Sequence, residues 1–120
     1  MPNSRALEDF FAGKSQHVVG LFDHFVAEFR KIGPVTIHPA KTMIGLATPR
    51  KRIVYVTRLG KDFMTAVFPF DRAYPDQLCF EKIANVPGDV QHNHYFRMMS
   101  KSDVNPEIRK FMKLAWELGT

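Results

Sequence analysis

The densest group of chemistry-bearing side chains in this sequence is His92-Asn93-His94, with Arg97 three positions beyond. Histidine changes charge near neutral pH, so such a group can move a proton or hold a metal. On a strand, His92 and His94 share a face and can chelate at i and i+2, but a third ligand must come from elsewhere, with His38 or Asp89 the nearest suggestions. That face also carries Val90, Phe96 and Met98. The expected role is therefore a satisfied core or pocket wall, with no metal. Arg97 has the opposite parity to His94, so a regular strand sends the two to opposite faces. A second group is Lys41-Thr42 with Arg52 and Arg58, which can hold an anion if the first hairpin folds beside the last strand. At period two, Arg52, Val54, Val56 and Arg58 share one strand face. Cys79 is the lone cysteine. It can make neither an internal disulfide nor a cysteine-based zinc cluster, and no base neighbours it, so an inert thiol is expected. Gly-rich phosphate loops, nucleophile elbows, zinc-protease helices and paired carboxylates are all absent from the sequence, which weakens the case for an enzyme and implies no cofactor. The tripeptide His-Asn-His lacks the metal-binding surroundings that a nuclease site needs.

The elements that must position these groups can be read from periodicity. Ser4 is placed to cap a short helical turn from Leu7 to Phe11 that Gly13 ends, within an N-terminal extension over 1–14. Ser15 caps a helix whose apolar residues Val18, Leu21, Phe22, Phe25, Phe29 and Ile32 recur at three- and four-residue steps, and Gly33-Pro34 stops it. From Val35 to Met98 the period becomes two, with strands expected over 35–38, 43–48, 52–59, 63–70, 79–86 and 90–98. The turns at His38-Pro39, Pro49-Arg50-Lys51, Gly60-Lys61 and Pro87-Gly88 are short, which suits antiparallel neighbours. The longer stretch from Asp71 to Leu78 is the one place where strand order can change. Asn105 caps a last helix with Pro106 in its first turn and Ile108, Phe111, Met112, Ala115 and Leu118 as its buried stripe. The expected fold is a single α+β domain over residues 1–120, a two-layer sandwich with both helices on one face of an antiparallel meander of five to six strands. Along 63–70 neither face is polar, so the uncovered side needs a partner, a ligand, or cover from the 71–78 loop and the residues before Ser15.

Charge narrows the choice of partner. The 120-residue chain has a formal net charge of +5, yet no acidic residue lies between Glu28 and Asp62, where Arg30, Lys31, Lys41, Arg50, Lys51, Arg52, Arg58 and Lys61 all fall. One part of the surface is therefore positive and attracts anions, nucleic acid included. Tyr55 and Phe63 lie in or beside this interval, but no recognisable stacking motif accompanies them. No apolar run is long enough to span a bilayer, and the residues after Met1 lack the order of a signal peptide, so a cytoplasmic protein without membrane contact is expected.

Leu7-Glu8-Asp9-Phe10-Phe11-Ala12-Gly13-Lys14, Gly33-Pro34-Val35, Lys41-Thr42-Met43-Ile44, His94-Tyr95-Phe96-Arg97-Met98 and the helix from Glu107 to Trp116 together resemble the bacterial domain-of-unknown-function 5655 family. The resemblance covers nearly the whole chain and implies its fold and boundaries, with no established activity. It implies that Lys41, His94 and Arg97 fall on recurring polar positions of that family. The expected function is a small, non-catalytic, self-associating binding module. Its polar pocket or anion-binding surface would be built from Lys41, Thr42, Arg58, His94 and Arg97. The alternatives are a nucleic-acid-associated basic domain and an enzyme that uses His94 as general acid or base.

Overall fold

A computed structural model describes residues 6–88 and 90–120, so the expected cap at Ser4 and the ligand suggested at Asp89 lie outside the described residues. A short helix, α1 (Leu7–Phe11), ends at Gly13, whose φ of +76° only glycine adopts without strain. The Ser15 hydroxyl then accepts a hydrogen bond from the Val18 amide at 3.2 Å and opens α2 (Gln16–Ile32). Its apolar stripe buries Val18, Leu21, Phe22, Phe25 and Phe29. At the other end of the chain Asn105 Oδ1 accepts from the Ile108 amide at 3.1 Å, and Pro106 begins α3 (Pro106–Leu118). Ile108, Phe111, Met112 and Ala115 are buried as the spacing predicts, but Leu118 is 52 % exposed, and it is Gly119 after it that packs against Thr48 and Ile53.

Between the helices lie β1 (Thr36–Pro39), β2 (Ile44–Ala47), β3 (Arg52–Leu59), β4 (Met64–Phe70), β5 (Lys82–Asn85) and β6 (His92–Met98). They form one antiparallel sheet in the order β1-β2-β3-β4-β6-β5. The order changes after β4, where the 71–81 connection carries the chain past the place that β6 will fill. The strand expected over 79–86 is shortened to Lys82–Asn85, because the Phe80 amide turns back to the Gln77 carbonyl and the Phe80 ring enters the core.

Both helices contribute to one apolar cluster with one face of the sheet, from Ile44, Leu46, Val54 and Val56 through Ala66 and Phe68 to Phe96 and Met98. Burying each such side chain contributes about 1.5–3 kcal/mol, so this two-layer contact is the main source of stability. Glu28, with its side chain 6 % exposed, ties the helices together by bonding Lys31 Nζ at 2.6 Å and Arg109 Nη2 at 3.0 Å. Those two cations hold its carboxyl below the usual range against the opposing effect of burial. The segments that the sequence offered as covers for the second sheet face pack instead on the helical side. Phe11 stacks edge-on with Phe22, and Tyr74 of the 71–78 loop meets Phe70 and Phe111. Among the described residues no helix is long and apolar enough to cross a membrane.

Candidate functional site

His94 stands opposite Phe68 on β4 and Ile83 on β5, on the side that the helices cover, and it is fully buried. Its Nδ1 lies 2.9 Å from the His92 carbonyl and 3.2 Å from the Phe68 carbonyl, while its Nε2 accepts the Tyr74 amide at 3.0 Å. Carbonyls only accept and an amide only donates, so the ring is the neutral Nδ1–H tautomer with both nitrogens engaged. Phe70, Phe80 and Tyr74 close around it at centroid distances of 5.1, 5.0 and 5.7 Å. Burial among these rings pushes its pKa below the ordinary histidine value, against the pull of its two carbonyl bonds. No lone pair is left over for a metal or for a substrate proton. His92 is half-buried and pairs with Asn85 Oδ1 at 2.6 Å, and His38 lies on the other side of the sheet bonded to Thr36. Among the described residues no three His, Cys, Asp or Glu side chains gather as a metal site.

The opposite face of the sheet has a different composition. One row across it reads His38, Gly45, Tyr55, Val67, Tyr95 and Lys82. The sequence places Arg52 and Arg58 with Val54 and Val56, and the structure corrects this through two irregularities in register. The first lies between Leu46 and Ala47, the second between Val56 and Arg58. Each adds a residue and inverts the side-chain parity beyond it. Arg52 therefore leaves the core face and lies over Gly45, where a Cβ would sit 3.1 Å from its side-chain Cδ. Arg58 lands beside Thr65, which is also the partner of Arg97.

Phe63 organises that end of the face. The hairpin from Gly60 to Phe63 closes with the Gly60 amide on the Phe63 carbonyl at 2.8 Å, and the ring folds back onto Gly60 so closely that a Cβ there would stand 2.2 Å from it. The ring thus held carries two guanidinium groups, Arg97 at 4.1 Å and Arg58 at 5.2 Å from its centre. Neither arginine has a carboxylate partner among the described residues. Lys82 Nζ sits 4.5 Å over the Tyr95 ring, and the six strands contain no Asp or Glu. Acids flank the strands at Asp62 in the hairpin turn, Asp71 just after β4 and Glu81 just before β5, and Asp9 lines a hollow with Arg58. Along the middle of this face runs an open groove of about 600 Å³, lined by Arg52, Tyr55, Thr57, Val67, Asn93 and Tyr95, that reaches Leu118 at the end of α3.

The five residues singled out from the sequence are thus divided. Arg58 and Arg97 meet on one ring. Thr42 shares a hollow with Arg58, Asp9, Phe10 and Lys14 beside α1, and Lys41 is exposed next to it in the β1–β2 turn. His94 lies across the sheet from Arg58 and Arg97 and lines neither the groove nor the hollow beside Thr42, so the joint neighbourhood of Lys41, His94 and Arg97 does not form. Tyr95 is legible from the parity of β6 as sharing a face with Arg97 but not as a site residue, and Lys82 is not legible at all, because its place beside Tyr95 depends on the β5–β6 pairing. Cys79 is half-buried, and burial together with the Glu107 carboxylate pushes its thiol up to about 12, which leaves it protonated and unreactive.

Comparison with known proteins gives one finding. The family described as Domain of unknown function (DUF5655) matches residues 7–119. No curated protein and no solved structure matches the chain.

Proposed function

The chain belongs to the DUF5655 family, whose description names no activity, and from the geometry of its open sheet face we propose that it is a non-catalytic module that binds an anionic ligand there. The observation that carries this reading is the pair of arginines on Phe63. Both Cζ atoms lie within 5.2 Å of one ring centre, so they are less than 10 Å apart. Two unit charges at that spacing repel by about 0.5 kcal/mol in water and about 2 kcal/mol at the effective dielectric of a protein surface. With no carboxylate paired to either among the described residues, that repulsion is relieved when an anion binds beside both, and the planar guanidinium fork suits phosphate or carboxylate oxygens.

Catalysis by His94 has less support, since a general acid or base must reach a substrate and both nitrogens of this ring are already bonded inside the core. Self-association through the open face has less support than an anionic partner, because two copies would bring Arg52, Arg58, Lys82 and Arg97 against the same charges. The module is assigned to the cytoplasm, where a lone thiol such as Cys79 stays reduced.

Titration calorimetry with tripolyphosphate at low salt tests the proposal. The wild-type chain is expected to bind, and Arg58→Gln with Arg97→Gln to weaken binding at least tenfold. The charge-matched pair Lys101→Gln with Lys113→Gln, both exposed and off the strands, is expected to change it less than twofold. Equal weakening by the two pairs would reduce the site to net charge alone.

A further inference from the structure

We infer that the ligand of this face is single-stranded nucleic acid, whose bases stack on Tyr55 and Tyr95 while its phosphates meet Arg58 and Arg97. The inference rests on the anion-binding reading above and adds the class of anion.

The two tyrosines supply what a simple phosphate site would not need. Tyr55 and Tyr95 stand in one row with Val67 between them, so two strand spacings of about 4.8 Å place their backbones about 10 Å apart. Both are half-exposed, and neither hydroxyl has a hydrogen-bond partner among the described residues. The Tyr55 ring meets no other ring or cation there, while Tyr95 meets only the Lys82 ammonium. An unused aromatic face on a strand that solvent reaches is a platform on which any base can stack, and a row of such platforms beside cations is how sheets hold single strands without reading their sequence. The cations are arranged to match. Arg52 flanks Tyr55 by way of Gly45, Lys82 flanks Tyr95, and Arg58 and Arg97 gather on Phe63 in the neighbouring row of the same face, where both pair with Thr65. A chain laid across the strands meets the two rings between the outer cations Arg52 and Lys82, and no carboxylate from any strand.

Other anionic partners fit less well. Six strands span about 24 Å, twice the width of a duplex major groove of about 12 Å, and α2 and α3 pack their stripes on the other face. A membrane surface needs apolar side chains that stand proud of the protein, whereas Val67 at the centre of this face is 5 % exposed. Small inorganic anions use the arginines and leave the tyrosines idle.

Fluorescence anisotropy with labelled twelve-residue oligonucleotides, oligo-dT and oligo-U, tests the inference alongside tripolyphosphate, a duplex of the same length and phosphatidylserine vesicles. The single strands are expected to bind at least tenfold tighter than the duplex, and the DNA and RNA arms tell which sugar the face prefers. With four cations engaged, the logarithm of affinity is expected to fall with the logarithm of salt at a slope of about −3, and at about −1.5 in the Arg58→Gln, Arg97→Gln variant. Tyr55→Leu and Tyr95→Leu are each expected to weaken single-strand binding about 5- to 100-fold while leaving tripolyphosphate binding unchanged. Amide shifts in the wild-type chain, concentrated at residues 55, 67 and 95 on adding oligo-dT, give the same answer without any substitution.

If tripolyphosphate binds through the arginines but the tyrosine variants and amides 55 and 95 do not respond to oligonucleotide, the nucleic-acid inference fails and the anion site stands. Preference for vesicles or duplex over single strands overturns it likewise. If no anion binds at this face, both readings fall together.

Discussion

Replacing His94 with alanine separates a structural histidine from a chemical one. The substitution empties a fully buried site enclosed by Phe70, Phe80 and Tyr74, and leaves the Tyr74 amide without its acceptor. An orphaned buried donor costs about 1–3 kcal/mol and the cavity about 2 kcal/mol more, so a loss of about 3–5 kcal/mol is expected. For 120 residues the unfolding entropy is about 0.25 kcal/mol per degree, which converts that loss to a fall in Tm of about 12–20 °C. The pH dependence sharpens the test. The folded chain holds His94 neutral below the pH at which an unfolded histidine takes up a proton, so the unfolded state binds more protons as pH falls below about 6.5. Wild-type stability should therefore drop there by up to about 1.4 kcal/mol per pH unit from this residue, and His94→Ala should lose that component. Urea unfolding of both proteins between pH 7.5 and 5 gives the difference directly. The gap between them is expected to narrow as pH falls. A gap that is constant with pH, or a variant as stable as wild type, would refute the sealed, neutral histidine.

Two further outcomes concern the packing that supports the face. Glu28→Gln leaves Arg109 and Lys31 without their carboxylate and is expected to cost about 1–3 kcal/mol by denaturant unfolding, nearer the lower value because Lys31 is largely solvent-exposed. Since the Glu28 pKa lies below its ordinary value of 4.5 in the folded state, its contribution is present above that pH and lost as pH falls through the folded value, so the variant should lose part of the wild-type acid sensitivity. Gly33 has extended backbone at φ −178°, so conformation does not demand glycine, but a Cβ would stand 2.3 Å from the Trp116 ring. Gly33→Ala should displace that ring, break its 3.2 Å bond to the Pro34 carbonyl, shift the fluorescence of the only tryptophan and cost about 1–3 kcal/mol.

Much of this architecture is written locally in the chain. Ser15 and Asn105 cap helices where their spacing ahead of an apolar stripe says they must, and the change of period at Val35 announces the sheet. The loop after Phe70 was legible as the point where strand order shifts, because every other connection is too short to skip a neighbour. The candidate site was less legible for a physical reason. Parity counting assumes a regular strand, and β3 is irregular against both of its neighbours, which moves Arg52 and Arg58 to the far side from Val54 and Val56. The meeting of Arg58 with Arg97 depends on Phe63 folding onto Gly60, a contact between side chain and backbone that leaves no periodic trace. His94 illustrates the converse. Its apolar strand face marked it for the core, and the Tyr74 amide that completes its bonding comes from a loop whose path no period encodes.

Arg58 and Arg97 on Phe63, without carboxylate partners among the described residues, are proposed as an anion site on the sheet face that the helices leave open. Following backbone amide shifts of the wild-type chain during titration with tripolyphosphate tests it most directly. Saturable shifts are expected at residues 58, 63, 65 and 97, with residues 92 and 94 unmoved. Shifts scattered evenly over the basic surface, or centred on another element, would contradict it.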